Sequence, residues 1–217
     1  MKGVSSPTEA SEELAKLRED ALRLGVSLSA ETANDLLRYI DLLYVWNRSA
    51  GLTTIPREDA LRLHVLDSVA AHSAIDASPC LDLGTGAGLP GLVLAMVLPE
   101  RDFVLVESNR RRCSFLLEAV RVLGLGNVRV VESAVEALPD ERYPLVISRA
   151  FRQPPEFVRI ARGLALEGGR VVLLLASPSV EEMEELEAIS GLRLEGVHHL
   201  SLPGGGEPRA IVSFRRD

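Results

Sequence analysis

The chain has 217 residues, 47% of them hydrophobic and 25% charged, a balance that supports one α/β unit with its own core and excludes a disordered chain. Two cysteines, Cys80 and Cys113, are too few for a disulfide framework and read as buried thiols in a reducing compartment. The net charge of -7 argues against wholesale nucleic-acid binding, although residues 100–175 carry 12 basic and 10 acidic side chains, including Arg110, Arg111, Arg112, Arg149, Arg152, Arg159 and Arg162.

The first residues carry acids where a secretion signal needs an apolar stretch, so a cytoplasmic protein is expected. Ser6-Pro7-Thr8-Glu9 has the form of a capping box ahead of a helix marked by Leu14, Leu17, Ala21 and Leu24. A second helix is predicted from about Ser29, with Ala33, Leu36, Leu37, Ile40, Leu43 and Tyr44 on one stripe, ending near Gly51 to Thr54. Pro56 opens a third, predicted to run to about Ala71. These helices suggest an N-terminal extension, residues 1–75, packed on a core of residues 76–217.

From Pro79 the pattern alternates between strand and helix. Apolar runs at Cys80 to Leu83, Phe103 to Val106, Val128 to Val131, Leu145 to Ile147 and Val171 to Leu175 suit a buried parallel sheet. No run approaches the roughly 20 apolar residues of a membrane span. The prolines of Gln153-Pro154-Pro155 read as a helix start. Leu192 to Leu200 and Ala210 to Phe214 flank Pro203-Gly204-Gly205-Gly206, which predicts an antiparallel pair closing a seven-stranded, mostly parallel sheet. The histidines lack metal-ligand spacing: His198 and His199 point to opposite strand faces, and His64 and His72 have no cysteine nearby. No metal is expected.

The chemistry concentrates in the segment Leu81 to Gly91, LDLGTGAGLPG. Gly86, Gly88 and Gly91 satisfy the G-x-G-x-x-G pattern of dinucleotide sites, and a loop after the first strand sits at the ligand edge of a parallel sheet. Asp82 precedes Gly84 by two residues, and no Lys or Arg in residues 80–99 offsets it against a pyrophosphate. The cationic amine and sulfonium of S-adenosyl-L-methionine suit that carboxylate better than a nicotinamide dinucleotide does. Asp82, Gly84, Thr85, Gly86, Gly88 and Leu89 are therefore cofactor-binding candidates, joined by Glu107 and Ser108 at the end of the second strand. Glu107 can accept ribose hydroxyls of either cofactor.

Together with this loop, Leu43-Tyr44-Val45-Trp46-Asn47, Leu52-Thr53, His64-Val65-Leu66-Asp67-Ser68, Val135-Glu136 and Ser148-Arg149-Ala150 resemble the bacterial ribosomal RNA small subunit methyltransferase G family. The resemblance covers about residues 29–175. It implies a Rossmann-like α/β methyltransferase fold, S-adenosylmethionine as cofactor, small-subunit ribosomal RNA or a ribosomal particle as partner, and methylation of a guanine N7. It also implies cofactor contacts from Gly84, Leu89, Glu107, Val135 and Glu136, with Arg149 near the methionine end. Ser148 and Arg149 are expected to shape the base pocket. His64 and Asp67, three apart on one helix face, either border the cleft or form a local ion pair. Two departures from the family stand out: Gly51 replaces its asparagine, and the chain runs Leu173-Leu174-Leu175-Ala176-Ser177-Pro178 where the family has a lysine-glycine pair ending the fifth strand. The missing cation leaves room for another RNA or a small-molecule acceptor, or for a non-catalytic cofactor-binding protein. A monomer is expected.

Overall fold

Strands apolar on both faces need helices on both sides, and that requirement organises the whole molecule. In the computed structural model, which describes residues 7–217, β1 (Cys80–Leu83) and β2 (Phe103–Glu107) are buried along their full length. β1 pairs in parallel with β2 and with β4 (Tyr143–Arg149), β2 with β3 (Val128–Glu132), and β4 with β5 (Ala165–Leu175). The chain then returns through β6 (Arg193–Leu200) and β7 (Arg209–Arg215), with β7 antiparallel to both β5 and β6. The sheet order is β3-β2-β1-β4-β5-β7-β6, five parallel strands and a closing hairpin as the apolar runs predict. β3 departs from that pattern: as an edge strand it has no fully buried residue.

Alternate strand residues serve two cores, because successive side chains point to opposite faces. Phe103, Leu105, Leu145 and Ile147 pack with α1 (Pro7–Arg23), α2 (Ala30–Ala50), α4 (Gly91–Val97) and α5 (Arg110–Leu123). Val104, Val106, Val146 and Leu173 pack with α6 (Pro154–Leu164) and α7 (Val180–Ser190). The N-terminal helices thus share one continuous apolar cluster with the sheet. α2 starts where Ser29 Oγ accepts the Thr32 N–H at 2.9 Å and ends at Gly51, whose φ of 59° gives the left-handed cap. Its buried stripe also includes Tyr39, which the apolar spacing alone does not single out. Ser6, the expected cap of α1, lies outside the described residues, while Pro154 and Pro155 do open α6.

The helix predicted from Pro56 is not a single α-helix. Residues Arg57–Asp59 form a 3-10 turn, Leu61–Leu66 a π turn, and Asp67–Val69 (α3) one α turn. Six consecutive residues, His64 to Val69, are buried, more than one face of a regular α-helix can bury. The wider π winding is common at functional sites, and here it carries His64 to the sheet edge. Cys80 and Cys113 are buried free thiols. Among the described residues no helix is long and apolar enough to cross a membrane, and no group of three or more His, Cys, Asp or Glu could hold a metal ion.

Candidate functional site

Three adjoining clefts open along the carboxyl edge of the parallel strands. The first, about 210 Å³, is lined by Leu83, Gly84, Glu107, Ser108, Val135 and Phe151 among others. The second, about 410 Å³, lies over the glycine loop and is bordered by Thr53, His64, Gly84 to Ala87, Leu89 and Arg112. The third, about 420 Å³, is walled by Ile55, Leu63, Leu174, Leu175, Ala176 and Ile211, with His64, Asp67, Arg149, Glu207 and Arg209 as its polar groups. Ala150 borders all three, and Arg149 and His64 border the second and third.

The glycine loop is fastened from below. Asp82 is fully buried, and its Oδ2 accepts the Thr85 hydroxyl at 2.6 Å and the Gly91 N–H at 2.8 Å. Burial pushes its carboxyl up to about 6, against the lowering effect of those two hydrogen bonds. Oδ1 has no hydrogen-bond partner. Contrary to the expectation that it faces a cationic ligand, this carboxylate lies beneath the loop and acts on the loop's own backbone. Gly91 must be glycine for this: a Cβ there would stand 2.4 Å from Leu105 Cδ2 and 2.6 Å from Asp82 Oδ2. Gly88 serves packing, since its Cβ would meet Leu92 at 2.8 Å, and it lines none of the three clefts. Tyr39 hydroxyl ties α2 to the loop by donating to Ala87 O at 2.8 Å.

Glu107 ends β2 and is nearly buried. Its Oε2 accepts Gly86 N–H at 3.1 Å, its Oε1 accepts Asn109 N–H at 2.8 Å, and Arg112 Nη1 lies 3.6 Å from Oε2. Arg112 lies outside the stretch in which the sequence reading finds no compensating cation, so the charge argument against a pyrophosphate is weaker in three dimensions. Val135 opens a 3-10 turn after β3 and lines the first cleft. Glu136 does not line it; its exposed carboxylate pairs with Arg152 at 2.7 Å.

On the other side of Ala150, side chains from four segments meet. Asp67, 7% exposed, bridges two guanidiniums: Oδ2 to Arg149 Nη1 at 2.9 Å and Oδ1 to Arg209 Nε at 3.1 Å. Arg149 Nη1 also donates to Leu63 O at 2.8 Å, and Nη2 lies 3.4 Å from His64 Nδ1. His64 Nε2 stands 2.8 Å from Thr53 Oγ1, which also accepts the Ile55 N–H. Burial and the Arg149 charge bring the imidazole down to about 4, so it is neutral near pH 7. The partners assign its proton to Nε2 and its lone pair to Nδ1. Asn47 completes the support, its Oδ1 accepting the N–H groups of Leu52 and Thr53 at 2.6 and 2.9 Å. These bonds explain why Asn47, Leu52-Thr53 and His64 to Asp67 form one pattern across about twenty residues.

Ser148 borders none of these clefts, contrary to the expectation that it shapes the base pocket. It is 4% exposed and donates to Leu83 O at 2.9 Å, clamping the ends of β4 and β1. Arg209 is the residue that sequence reasoning misses. It follows the glycine-rich turn, and the β5–β7 register pairs its neighbour Ala210 with Leu175. A cation therefore stands on the wall where the family's lysine is absent, supplied from another strand. Ala150 has a φ of 56°, a left-handed conformation that costs an alanine about 1–2 kcal/mol and turns the chain out of β4.

A family model described as rRNA small subunit methyltransferase G matches residues 32–212. A protein named Ribosomal RNA small subunit methyltransferase G from Xanthomonas campestris pv. campestris (strain B100) is 40% identical over 195 residues, covering 88% of this chain and 90% of that protein. One of the same name from Stenotrophomonas maltophilia (strain K279a) is 41% identical over 191 residues, covering 87% and 89%. Among solved structures, a ribosomal protein L11 methylase from Lactobacillus delbrueckii subsp. bulgaricus aligns over 77% of this chain and 83% of its own, with a TM-score of 0.57 at 12% identity. A SAM dependent methyltransferase from Aquifex aeolicus aligns over 70% and 92%, with a TM-score of 0.54 at 20% identity. At those identities the likeness is one of fold.

Proposed function

The chain belongs to the rRNA small subunit methyltransferase G family, and from that premise we propose that it transfers the methyl group of S-adenosyl-L-methionine to N7 of a guanine in small-subunit ribosomal RNA. It does so as a cytoplasmic monomer acting on the RNA or on a ribosomal particle. The observation that carries the reading is the junction at Arg149 and Ala150, where a nucleoside-sized cleft next to the glycine loop meets a cleft walled by aliphatic side chains and tipped with guanidiniums.

The first cleft would take the adenosine end of the cofactor and the second, over the glycine loop, its methionine end. Glu107 would accept the ribose hydroxyls, exchanging its bond to Gly86 N–H, while Leu83 and Val135 flank the adenine. Gly84 and Leu89 would lie along the methionine. When bound, the cofactor supplies an electrophilic methyl on sulfur.

Guanine presents two acceptors on its major-groove edge, N7 and O6, whereas adenine presents an amino donor beside N7. A guanidinium beside the acceptor cleft therefore favours guanine, with Arg149 donating to O6 and leaving N7 free. The N7 lone pair needs no base to remove a proton. That agrees with a site whose one imidazole has both nitrogens engaged and is held neutral. The contribution of the residues is alignment and exclusion of water, and orientation of two reactants can contribute about 7–11 kcal/mol.

Mass mapping of nucleosides in small-subunit RNA from a strain lacking the gene tests the reaction: 7-methylguanosine should fall, and an unchanged level rejects it. Calorimetry tests the cofactor. S-adenosylhomocysteine should bind, and tight NADH binding with no response to S-adenosylhomocysteine would replace it with a dinucleotide.

A further inference from the structure

The chain leaves β4 through Arg149, Ala150 and Phe151, and the methyl transfer described above gives Phe151 no part. Its ring lies against Gly84 so closely that a Cβ on that glycine would come 1.9 Å from Phe151 Cδ2 and 2.4 Å from Cγ. Glycine at the loop lets a ligand approach the backbone. Here the chain's own ring fills part of that approach. The ring's environment also includes Arg152, whose guanidinium carbon lies 5.1 Å from the ring centroid and which pairs with Glu136 and Glu156. Phe151 is half-buried and lines the first cleft beside Glu107 and Val135. Its neighbour Ala150 carries the one left-handed backbone outside glycine among the described residues, and it borders all three clefts.

We propose that Phe151 is shared between the two sites: its ring, which lies against Gly84, is displaced when the cofactor enters, and then supplies the aromatic face on which the acceptor base stacks. This rests on the cofactor and acceptor reading above. The third cleft has aliphatic walls and charged tips but no phenyl or indole ring of its own. A purine gains a sequence-tolerant contact by stacking on an aromatic side chain. A ring displaced from Gly84 moves about the Ala150 junction, which opens directly onto that cleft. Cofactor binding therefore precedes productive RNA binding, because the ring cannot receive a base while it lies on the loop.

The test is calorimetric titration of S-adenosylhomocysteine into the parent protein and its Phe151→Ala, Phe151→Leu and Phe151→Tyr variants, beside methyl transfer to small-subunit particles from cells lacking the enzyme. Phe151→Ala should bind S-adenosylhomocysteine roughly 3- to 10-fold tighter, since no ring needs to be displaced. Its KM for the particles should rise roughly 5- to 100-fold. Tyrosine should restore KM and leucine should not. Unchanged or weaker S-adenosylhomocysteine binding by Phe151→Ala overturns the proposal, as does a leucine variant with the KM of the tyrosine variant. Should Phe151→Ala fail to fold, the tyrosine and leucine variants decide through the same KM contrast. Failure of the parent itself to bind S-adenosylhomocysteine identifies the cofactor reading as the fault.

Discussion

The β1–β3 side of the sheet edge and the β4–β5–β7 side are held together by different kinds of bond. On the first, carboxylates bind backbone: Asp82 takes Gly91 N–H along with the Thr85 hydroxyl, and Glu107 takes Gly86 and Asn109 N–H. On the second, side chains bind side chains, in a network running from Arg209 through Asp67, Arg149 and His64 to Thr53. A loop fastened by its own backbone presents a fixed, generic surface, which suits a cofactor common to many enzymes. A network of side chains can be retuned one residue at a time, which suits an acceptor particular to one family.

The division between the two sides is most exposed to challenge at Asp67. Asp67→Ala leaves two guanidiniums facing each other across a largely buried site, and removing one partner of a buried pair costs about 3–5 kcal/mol. Arg149 and Arg209 keep 19% and 23% of their side-chain exposure, so the lower end applies. Urea unfolding should show a loss of about 3 kcal/mol, with methyl transfer abolished; parental stability would mean that the network is not coupled. Gly91→Ala attacks the other side. Overpacking against Leu105 and Asp82 should cost about 1–3 kcal/mol and weaken S-adenosylhomocysteine binding, while KM for RNA measured at saturating cofactor stays near parental. A matching rise in that KM would erase the division.

Two smaller effects define its limits. Arg110 and Arg111 are exposed in the first turn of α5, where cations are unfavourable to the helix dipole. Replacing both with Gln should lower the salt dependence of RNA binding by about 0.7–0.9 log unit for each phosphate no longer neutralised, with S-adenosylhomocysteine affinity unchanged. An unaltered slope confines the RNA footprint to the third cleft. His64 supplies the mildest probe. Its folded value of about 4 lies below the ordinary 6.5, so its contribution to stability is present above pH 6.5 and lost as pH falls towards 4. Asp82 has the opposite sign: raised from 3.8 to about 6, its contribution is present below pH 3.8 and lost as pH rises through 6. His64→Gln should therefore flatten the decline in stability below pH 6.5, as read by thermal unfolding across that range. An unchanged acid limb assigns the decline to other groups.

The two sides also differ in how much of them the sequence discloses. The strands and the glycine loop are legible because their signals are contiguous: short unbroken apolar runs, and one segment from Asp82 to Gly91 that holds both ends of each Asp82 bond. The direction of the Asp82 carboxylate is not legible, since only the packing of Gly91 against Leu105 shows that the loop folds back over it. Arg112 escapes for a related reason, because helix α5 brings it to the loop from a separate segment beyond β2. The acceptor side is read only through its pattern. Asp67 and Arg209 are 142 positions apart, and no periodicity links them. The hairpin predicted after Leu192 does not disclose it either: that its second strand, not its first, lies against β5, with Ala210 beside Leu175, is seen only in the structure.

The position of β7 between β5 and β6 has a consequence for how the protein is made. During synthesis the ribosome releases β1 to β5 in order, so the β1–β3 side can assemble from short-range contacts while the rest of the chain is still emerging. β6 has no partner in the sheet other than β7. Until β7 arrives to pair with both neighbours, Arg209 is absent and Asp67 holds only one of its two cations. The β4–β5–β7 side is thus the last part to mature, and a chain stopped before residue 209 would present the glycine-loop cleft without the finished Asp67 network beside it.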